Sequence, residues 1–271
     1  MHDRFIVVGV PVRLGSLSGG RFDLAPAAIR EMLSRYSTYD VESGLDVRRL
    51  EVDDRGDLPV ADVHPGRDPD GLALMEMHGP MIASETTVFI GGDNSITHPG
   101  VHALQAPLER TALLTLDAHH DVRDLKGGLN NGNPVRALLE DGLPGKNVAQ
   151  IGIQGFANSA DYAKVATDAG IHVVTAEEVR GGGIKPVMRE ALAKLEQVSD
   201  EIYVDVDMDV LDRAFAPASP GSRPGGLTPM EVRQALRLCG AHAKVRAMDV
   251  VEVDPTRDVA EATVMAAASF V

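Results

Sequence analysis

The sequence predicts an α/β protein built on a parallel sheet. Short apolar runs rich in β-branched residues alternate with segments that carry helix signals, which is the pattern of repeated βαβ units. The glycine- and proline-rich stretches between them have no periodicity and suit loops at the edge of one sheet. Apolar residues make up 44% of the chain, which is enough for a substantial aliphatic core. We therefore expect one domain that spans residues 1–271.

Seven apolar runs predict strands, and three local signals predict helices. The strand runs cover residues 5–10, 87–90, 112–117, 148–153, 171–175, 202–207 and 245–253. The helix signals are a capping box with a proline at 228–231, a proline at 26 before the helical pattern 27–36, and a glycine at 170 after the pattern 161–169. Ligands bind beyond the carboxyl ends of the strands in open parallel sheets, so the polar residues directly after these runs are of most interest.

Composition argues against several classes of partner. A formal net charge of -14 would repel phosphate backbones and anionic lipids, and 4% aromatic residues with no Trp disfavour a base-stacking surface. No apolar stretch is long enough to span a membrane, and the first ten residues lack the features of a secretion signal. We expect a small-molecule substrate, no nucleic-acid or membrane partner, and a cytoplasmic location. The single Cys239 is expected to be a buried thiol.

Three of the seven runs end in acidic clusters, and two of these clusters indicate a metal site. Asp117, His119 and Asp121 follow the run 112–116, and Asp207 and Asp209 follow the run 202–206. If the chain stays extended, the members of each cluster point to one side. Carboxylates about 4 Å apart repel each other by several kcal/mol at an effective dielectric of about 20, so a shared crevice would need cations. Such ligands without thiolates favour Mn²⁺ or a similar ion, and two ions would activate a water to attack a planar carbon.

A plainer interpretation of the same residues stays open. Aspartate after a strand often caps the next helix or lies in a solvated loop, although two same-side clusters after two separate strands favour the metal site. A third segment, 91–95, reads Gly-Gly-Asp-Asn-Ser, and its glycines permit a tight turn and a close approach of backbone to a site. It is not a Walker-type phosphate loop, because no Gly-Lys-Ser/Thr follows.

These three segments together resemble the ureohydrolase superfamily, which includes arginases, agmatinases and formimidoylglutamases. Strands of that superfamily end in Gly-Gly-Asp-His-Ser, Asp-Ala-His-x-Asp and Asp-x-Asp-x-x-Asp, and this chain matches their order and spacing. The resemblance extends to the glycine-rich start and to the stretches 131–134, 216–227 and 252–255, and so covers nearly the whole chain.

The resemblance implies a three-layer α/β/α fold around a central, mostly parallel eight-stranded sheet, with a binuclear manganese site. Asp117 and Asp207 resemble the carboxylates that bridge the two ions. Asp121 would also receive a proton as water attacks, and Glu252 matches the carboxylate that pairs with the cationic amidine or guanidinium of the substrate. The positions that match metal ligands are Asn94, Asp117, His119, Asp121, Asp207 and Asp209.

Two positions depart from the pattern of arginases and agmatinases. Asn94 stands where those enzymes carry a metal-binding His, and Asn131 stands where they carry a His thought to shuttle protons. An amide cannot do proton chemistry, but its carbonyl oxygen can coordinate Mn²⁺, less tightly than imidazole does. We therefore expect the metal site that includes Asn94 to be weak or labile, and Asn131 to contact substrate.

Some bacterial formimidoylglutamases resemble this chain more closely, since they share both asparagines and the stretches 117–123, 206–212 and 251–256. Arg123 supports this branch independently, because formimidoylglutamate carries two carboxylates and a guanidinium suits one of them, whereas arginases have a neutral Asn there. The alternative for Arg123 is a surface ion pair with Asp121 or Asp124. His120 is expected to support the site rather than to bind metal.

The resulting hypothesis is metal-dependent hydrolysis of N-formimidoyl-L-glutamate to L-glutamate and formamide, a step of histidine degradation. The first alternative is hydrolysis of agmatine, arginine or another guanidino acid with release of urea. The second is a non-catalytic member whose metal site is weakened. The superfamily implies a homo-oligomer, a trimer or hexamer. Other histidines, among them His2, His98 and His102, are expected to be surface or core residues.

Overall fold

The computed structural model describes residues 4–68, 75, 78–80 and 84–271. Within them, one eight-stranded sheet has the order β4-β1-β5-β10-β9-β6-β7-β8, and a separate pair of short strands forms β2-β3. The strands are β1 Arg4–Val10, β2 Tyr39–Asp40, β3 Leu45–Asp46, β4 Glu51–Asp57, β5 Glu85–Gly91, β6 Thr111–Leu116, β7 Val148–Ile153, β8 His172–Thr175, β9 Glu201–Asp207 and β10 Val245–Val251.

Every pairing within the large sheet is parallel, which confirms the predicted sheet. Helices follow or precede the strands on both of its faces. They are α1 Ala25–Leu33, α2 Thr97–His102, α3 Pro134–Asp141, α4 Ala160–Ala169, α5 Ala176–Gly182, α6 Ile184–Val198, α7 Pro229–Gly240 and α8 Ala262–Ala268. None of the described helices has both the length and the apolar surface needed to cross a membrane.

Two buried apolar clusters show the three layers. One contains Leu114 of β6 together with residues of α1, α5, α6, α7 and α8, and the other contains Leu113 of β6 together with residues of α2, α3 and α4. Successive side chains of a strand point to opposite faces, so each face of the sheet is covered by its own set of helices. This arrangement confirms the expected α/β/α architecture.

The predicted helix signals are found in the structure with small shifts. Thr228 and Glu231 form the capping box of α7. Gly170 ends α4 with a φ of 78°, a left-handed conformation that suits glycine. Pro26 lies in the first turn of α1, which ends at Leu33 rather than at residue 36. The last predicted strand ends at Val251, because the chain turns there toward the site.

The sequence did not predict β4, which is the edge of the large sheet. Its sequence, EVDDRGD, has no apolar alternation, and six of its seven residues are exposed. Pairing with β1 and ion pairs to Arg4 and Arg30 hold it in place. Such long-range contacts leave no local pattern in the sequence.

Candidate metal centre and active site

Four neighbouring strands bring the candidate residues to one edge of the sheet. Asn94 follows β5, Glu252 follows β10, Asp207 ends β9 and Asp117 follows β6, and these strands are adjacent in the order β5-β10-β9-β6. Because the carboxyl ends of parallel strands meet at the same edge, residues far apart in sequence converge there.

The chain does not stay extended after β6, so the condition under which the side chains would alternate is not met. It bends at Ala118 and His119, and the backbone N–H of His119 donates to Asp117 Oδ1 at 2.6 Å. Asp121 adopts a left-handed backbone with φ 51°, which is uncommon for a residue with a side chain. The side chains of His119 and Asp121 nevertheless line one cavity. The bend in the backbone brings them there, whereas an extended chain would have done so by alternating its side chains.

Hydrogen bonds tie the end of β9 to the end of β6. Asp207 Oδ1 accepts from the backbone N–H of Asp209 at 2.8 Å and so caps a short 3-10 turn. Asp209 Oδ1 accepts from the backbone N–H of Ala118 at 3.1 Å. Asp207 therefore does cap a turn, as the alternative interpretation of the sequence allows. The same hydrogen bonds fix Asp207 and Asp209 beside His119.

His119 lies between two carboxylates at the base of the cavity. Its Nδ1 is 2.9 Å from Asp209 Oδ2 and 3.6 Å from Asp117 Oδ1. One ligand atom from each of these three residues lies within 4.8 Å of the other two. The predicted clusters after β6 and β9 thus form one group.

Burial and mutual repulsion shift the pKa values of this group. Burial and the charge of Asp209 raise the pKa of Asp117 to about 6. Burial raises the pKa of Asp207 and of Asp121 well above the ordinary range, with further contributions from Asp209 and Asp117, respectively. Burial alone would lower the pKa of His119, but the carboxylates of Asp209 and Asp117 raise it to about 11. Each shift reflects a site that attracts positive charge.

The donor set fits divalent cations. Carboxylate oxygens and an imidazole nitrogen converge without a thiolate, which suits manganese and related ions. Asp121 and Asp207 line the cavity beside the three residues just described. A bound cation would offset the repulsion that raises the carboxyl pKa values, so the residues present are suited to hold metal.

Asn94 contacts this group through its amide nitrogen. Its side chain is fully buried, and its Nδ2 donates to Asp121 Oδ2 at 2.6 Å. Its Oδ1 accepts from Thr97 Oγ1 at 2.7 Å. The arrangement differs from the expected coordination through the carbonyl oxygen, because the buried Asp121 oxygen takes the amide N–H as its donor.

Glu252 lies at the end of β10 with a left-handed backbone of φ 65°. Its Oε1 accepts from the backbone N–H of Asn94 at 2.9 Å and from Asn131 Nδ2 at 3.0 Å. Burial and the charge of Asp93 raise the pKa of Glu252 to about 8. The positive φ of this residue holds the carboxyl group toward the cavity at a cost of roughly 1–3 kcal/mol.

Asn131 connects Glu252 to the glycine-rich start of the chain. Its Oδ1 accepts from the backbone N–H of Leu17 at 3.0 Å, while its Nδ2 donates to Glu252. Asp93 anchors the same loop by accepting from the backbone N–H of Gly15 at 2.9 Å. Asn131 thus lines the cavity and also orients the carboxyl group of Glu252.

Two arginines line the mouth of this cavity, which has a volume of about 190 Å³. Arg123 and Arg223 are exposed, whereas the acidic residues at the floor are buried. The Arg123 guanidinium lies 5.7 Å from the centre of the Tyr162 ring. Within the described residues, no ion pair joins Arg123 to Asp121 or Asp124, which instead contact Asn94 and Lys126, respectively.

Sequence reasoning missed Arg223, which lies in the loop 212–226. Internal hydrogen bonds order this loop: Gly225 donates to Asp212 Oδ2 at 2.7 Å, and the Arg213 N–H donates to the Arg223 carbonyl at 3.1 Å. The loop approaches the site at Gly221, where a Cβ would lie 2.0 Å from Asp209 Oδ2. Its Pro-Gly-Ser-Arg-Pro-Gly-Gly sequence signals a loop but does not indicate where the arginine points.

His120 supports the site from behind, as expected. Its ring Nδ1 is 2.7 Å from Gln150 Oε1, and its backbone N–H donates to Asn158 Oδ1 at 2.9 Å. Asn158 and Ser159, which follow β7, do not line the cavity. Asn158 braces the bend after β6, and Ser159 caps α4.

The remaining expectations concern residues outside the cavity. Cys239 is buried in α7, which confirms the expected buried thiol, and burial raises the pKa of this thiol to about 12. His2 lies outside the described residues. His98 and His102 are partly buried at the surface.

Comparison with known proteins reveals similarity along nearly the whole chain. A formimidoylglutamase of Halalkalibacterium halodurans is 39% identical over 276 residues, which cover 99% of this chain and 85% of that protein. The mitochondrial guanidino acid hydrolase of Homo sapiens is 32% identical, over 97% of this chain and 75% of that protein.

Solved structures and a family model agree with these relatives. The crystal structure of formimidoylglutamase from Bacillus subtilis is 32% identical and matches with a TM-score of 0.92, covering 99% of this chain and 84% of that chain. The model of the Arginase family matches residues 3–271. The chain therefore belongs to the arginase family.

Proposed function

We propose that this protein hydrolyses N-formimidoyl-L-glutamate to L-glutamate and formamide, a step of histidine degradation. The distribution of charge along the cavity carries the proposal, because buried carboxylates lie at its floor and two arginines lie at its mouth. Such a cavity complements a ligand with a cationic amidine at one end and carboxylates at the other. Similarity to two formimidoylglutamases supports the same substrate.

The two arginines favour some of the candidate amidine and guanidine substrates over others. Formimidoylglutamate carries two carboxylates and no free ammonium group, so Arg123 and Arg223 can each pair with one of them. Agmatine carries a second cation at the end that would face these arginines. Arginine carries one carboxylate and an ammonium group, and is a poorer match for two guanidinium groups.

Glu252 is assigned to the cationic amidine. Its Oε1 already accepts two hydrogen bonds, from Asn94 and Asn131, which fixes the plane of the carboxyl group. Its Oε2 remains to accept from the amidine, a charge-assisted contact that would orient the formimidoyl carbon toward the buried carboxylates.

We assign metal binding to the buried group at the floor, with Asn94 as the weak member. When bound, manganese supplies Lewis acidity that makes a water nucleophilic near neutral pH. The ligands proposed for the two ions are Asn94, Asp117, His119, Asp121, Asp207 and Asp209.

Asp121 is the residue proposed to accept a proton from the attacking water and to pass it to the leaving amine. Asn94 and Asn131 are amides and cannot exchange one, whereas the carboxylate of Asp121 can accept a proton and release it. Asp121 Oδ2 can therefore hold a proton and release it to the amine that leaves as glutamate. The hydrogen bond from Asn94 Nδ2 holds this oxygen in place.

A guanidino acid hydrolase is the second candidate. Its substrates carry a carboxylate opposite a cationic guanidinium, which the same two arginines could bind, and the relative from Homo sapiens has this name. The third hypothesis is that this protein is a non-catalytic member of the arginase family. Against it, a buried group of carboxylates destabilises the fold unless the cluster holds cations.

Product analysis tests the proposal directly. The Mn²⁺-loaded protein would be incubated in parallel with formimidoylglutamate, agmatine, arginine and 4-guanidinobutyrate, and formamide, glutamate and urea would be measured. Formamide and glutamate in equal amounts are expected, with no turnover after chelation. Urea from 4-guanidinobutyrate alone would support the second candidate, and no product from any substrate would support the third.

We further propose that residues 1–271 form one domain and that the protein is cytoplasmic. We also propose that it is a homo-oligomer, either a trimer or a hexamer. An exposed apolar groove supports association of copies, because it includes Tyr36, Tyr39 and Leu45 without a covering segment among the described residues. Analytical ultracentrifugation of the full chain would give the number of copies.

A further inference from the structure

A second group of possible metal ligands lies between α2 and α3 and does not line the cavity. His98 Nε2 is 2.6 Å from Asp141 Oδ2, and His102 Nε2 is 3.0 Å from the same oxygen. The two histidines belong to α2, and Asp141 is the last residue of α3. Three ligand-bearing side chains from two helices therefore converge on one point.

The helix geometry prearranges the two imidazoles. His98 and His102 are four residues apart, so they lie on the same face of α2. Their ring centres are 4.8 Å apart with an angle of 62° between the planes, so the rings meet edge to face. This orientation turns both Nε2 atoms toward Asp141 at once.

Solvent reaches the group without exposing it fully. The side chains of His98, His102 and Asp141 are 22%, 30% and 42% exposed. An ion can therefore enter from solvent, and water can complete its coordination. The three protein ligands with an open position correspond to the arrangement of accessible zinc sites.

The chemistry of the ligands favours a borderline ion over a hard one. Burial acts to raise the pKa of Asp141, but hydrogen bonds from His98 and His102 outweigh it and lower the pKa, so the carboxylate stays ionised. Two imidazoles and one carboxylate suit Zn²⁺ better than Mg²⁺ or Ca²⁺, which prefer oxygen ligands throughout. Each imidazole must carry its proton on Nδ1 to offer Nε2 to an ion.

We propose that His98, His102 and Asp141 form a second metal site, which binds Zn²⁺ or a similar transition ion and joins α2 to α3. The helix α2 begins directly after the turn that contains Asn94, and α3 begins three residues after Asn131. An ion at this site links the helices that follow the two asparagines of the active site. It stabilises the folded state by binding to it preferentially.

Zinc binding to the Mn²⁺-saturated full chain tests the proposal. Wild type, His98→Ala and His102→Gln would be compared by equilibrium dialysis, with manganese measured in the same samples. His172→Ala is the matched control, because His172 is a similarly half-buried histidine on β8 whose ring contacts Lys194. The amide of His102→Gln can still donate a hydrogen bond to Asp141, so this variant keeps the contact between α2 and α3. It removes only the imidazole ligand of the proposed metal site.

Wild type and His172→Ala are expected to bind one more equivalent of Zn²⁺ without loss of manganese, and their melting temperatures should rise. In His98→Ala and His102→Gln the dissociation constant should increase at least about tenfold, or about 1.4 kcal/mol. Equal zinc affinity in all four proteins, or zinc uptake matched by manganese release, would overturn the proposal. If His98→Ala does not fold, His102→Gln decides the outcome. Neither result depends on the substrate of the enzyme.

Discussion

Asn94 Nδ2 donates to Asp121 Oδ2 at 2.6 Å, and this bond connects the ends of two strands that are not neighbours. Asn94 follows β5 and Asp121 follows the end of β6, while β10 and β9 lie between these strands in the sheet. The amide thus occupies the position where a metal-ligand side chain is expected, but it presents a hydrogen-bond donor to a carboxylate. Affinity for the second ion should depend on this one side chain.

Asn94→His should strengthen manganese binding at the weak site. An imidazole nitrogen is a better ligand than an amide, so we expect the dissociation constant of the weaker ion to fall at least about tenfold. Electron paramagnetic resonance of free Mn²⁺ during titration would measure it. Asn131→His is the matched control, because it adds an imidazole to the same cavity beside Glu252 and should leave manganese affinity unchanged. Equal affinity in wild type and Asn94→His would remove Asn94 from the ligand set.

Glu252→Gln should impair the reaction without unfolding the protein. The amide oxygen can still accept from Asn94 and Asn131, but the charge that pairs with the amidine is lost. A hydrogen bond to a charged group contributes about 1.5–3 kcal/mol, so kcat/KM should fall about 10- to 100-fold. Steady-state kinetics would measure the loss, and Glu140→Gln, on the exposed face of α3, should change nothing. An unaltered kcat/KM would show that Glu252 does not bind substrate.

Arg123→Ala and Arg223→Ala should each raise KM for formimidoylglutamate. Each change removes one charged contact to a carboxylate, so an increase of about tenfold or more is expected while kcat changes little. Arg189→Ala is the control, because Arg189 is an exposed arginine of α6 that does not line the cavity. If KM is unchanged in Arg123→Ala or in Arg223→Ala, that arginine does not bind a carboxylate.

Stability of the metal-free protein should fall as pH rises. The pKa of Asp117 is raised from 3.8 to about 6 and that of Glu252 from 4.5 to about 8, so the folded state binds more protons than the unfolded state in this window. Their stabilising contribution is therefore present at about pH 4 and is lost toward pH 8. His119, with a pKa raised from 6.5 to about 11, acts in the same direction above neutrality.

Thermal unfolding in chelator across this range would measure the decrease. Manganese should raise the melting temperature more at pH 8 than at pH 6, because its ligands must lose protons to bind. A melting temperature of the metal-free protein that rises between pH 5 and pH 8 would contradict the pKa assignments.

The buried strands could be predicted because central parallel strands are continuous apolar runs. All residues of β5, β6 and β9 are buried, and their sequences carry that signal directly. The edge strand β4 could not be predicted, since its charged residues are held by contacts with residues far away in the chain. Local sequence patterns therefore predict buried strands well, but they predict the pairing of an exposed edge strand poorly.

The acidic clusters could be predicted from the sequence, but their geometry could not. The condition of an extended segment from Asp117 to Asp121 is not met, since the chain bends at Ala118 and His119, where the Ala118 N–H donates to Asp209. The amide orientation of Asn94 depends on Thr97 and Asp121, and the position of Arg223 depends on the folding of its loop. These features arise from tertiary contacts, which one sequence does not encode in a local pattern.

The acidic edge strand β4 also has a consequence for how copies of the molecule meet. Four of its seven residues are acidic, and they lie along the open border of the sheet. A second copy that approached border to border would bring the charged side chains of both strands together, with the arginines that pair with them, and burying these charges would disfavour main-chain pairing. The charged border therefore disfavours edge-to-edge association on that side, and other surfaces are better suited to contacts between copies.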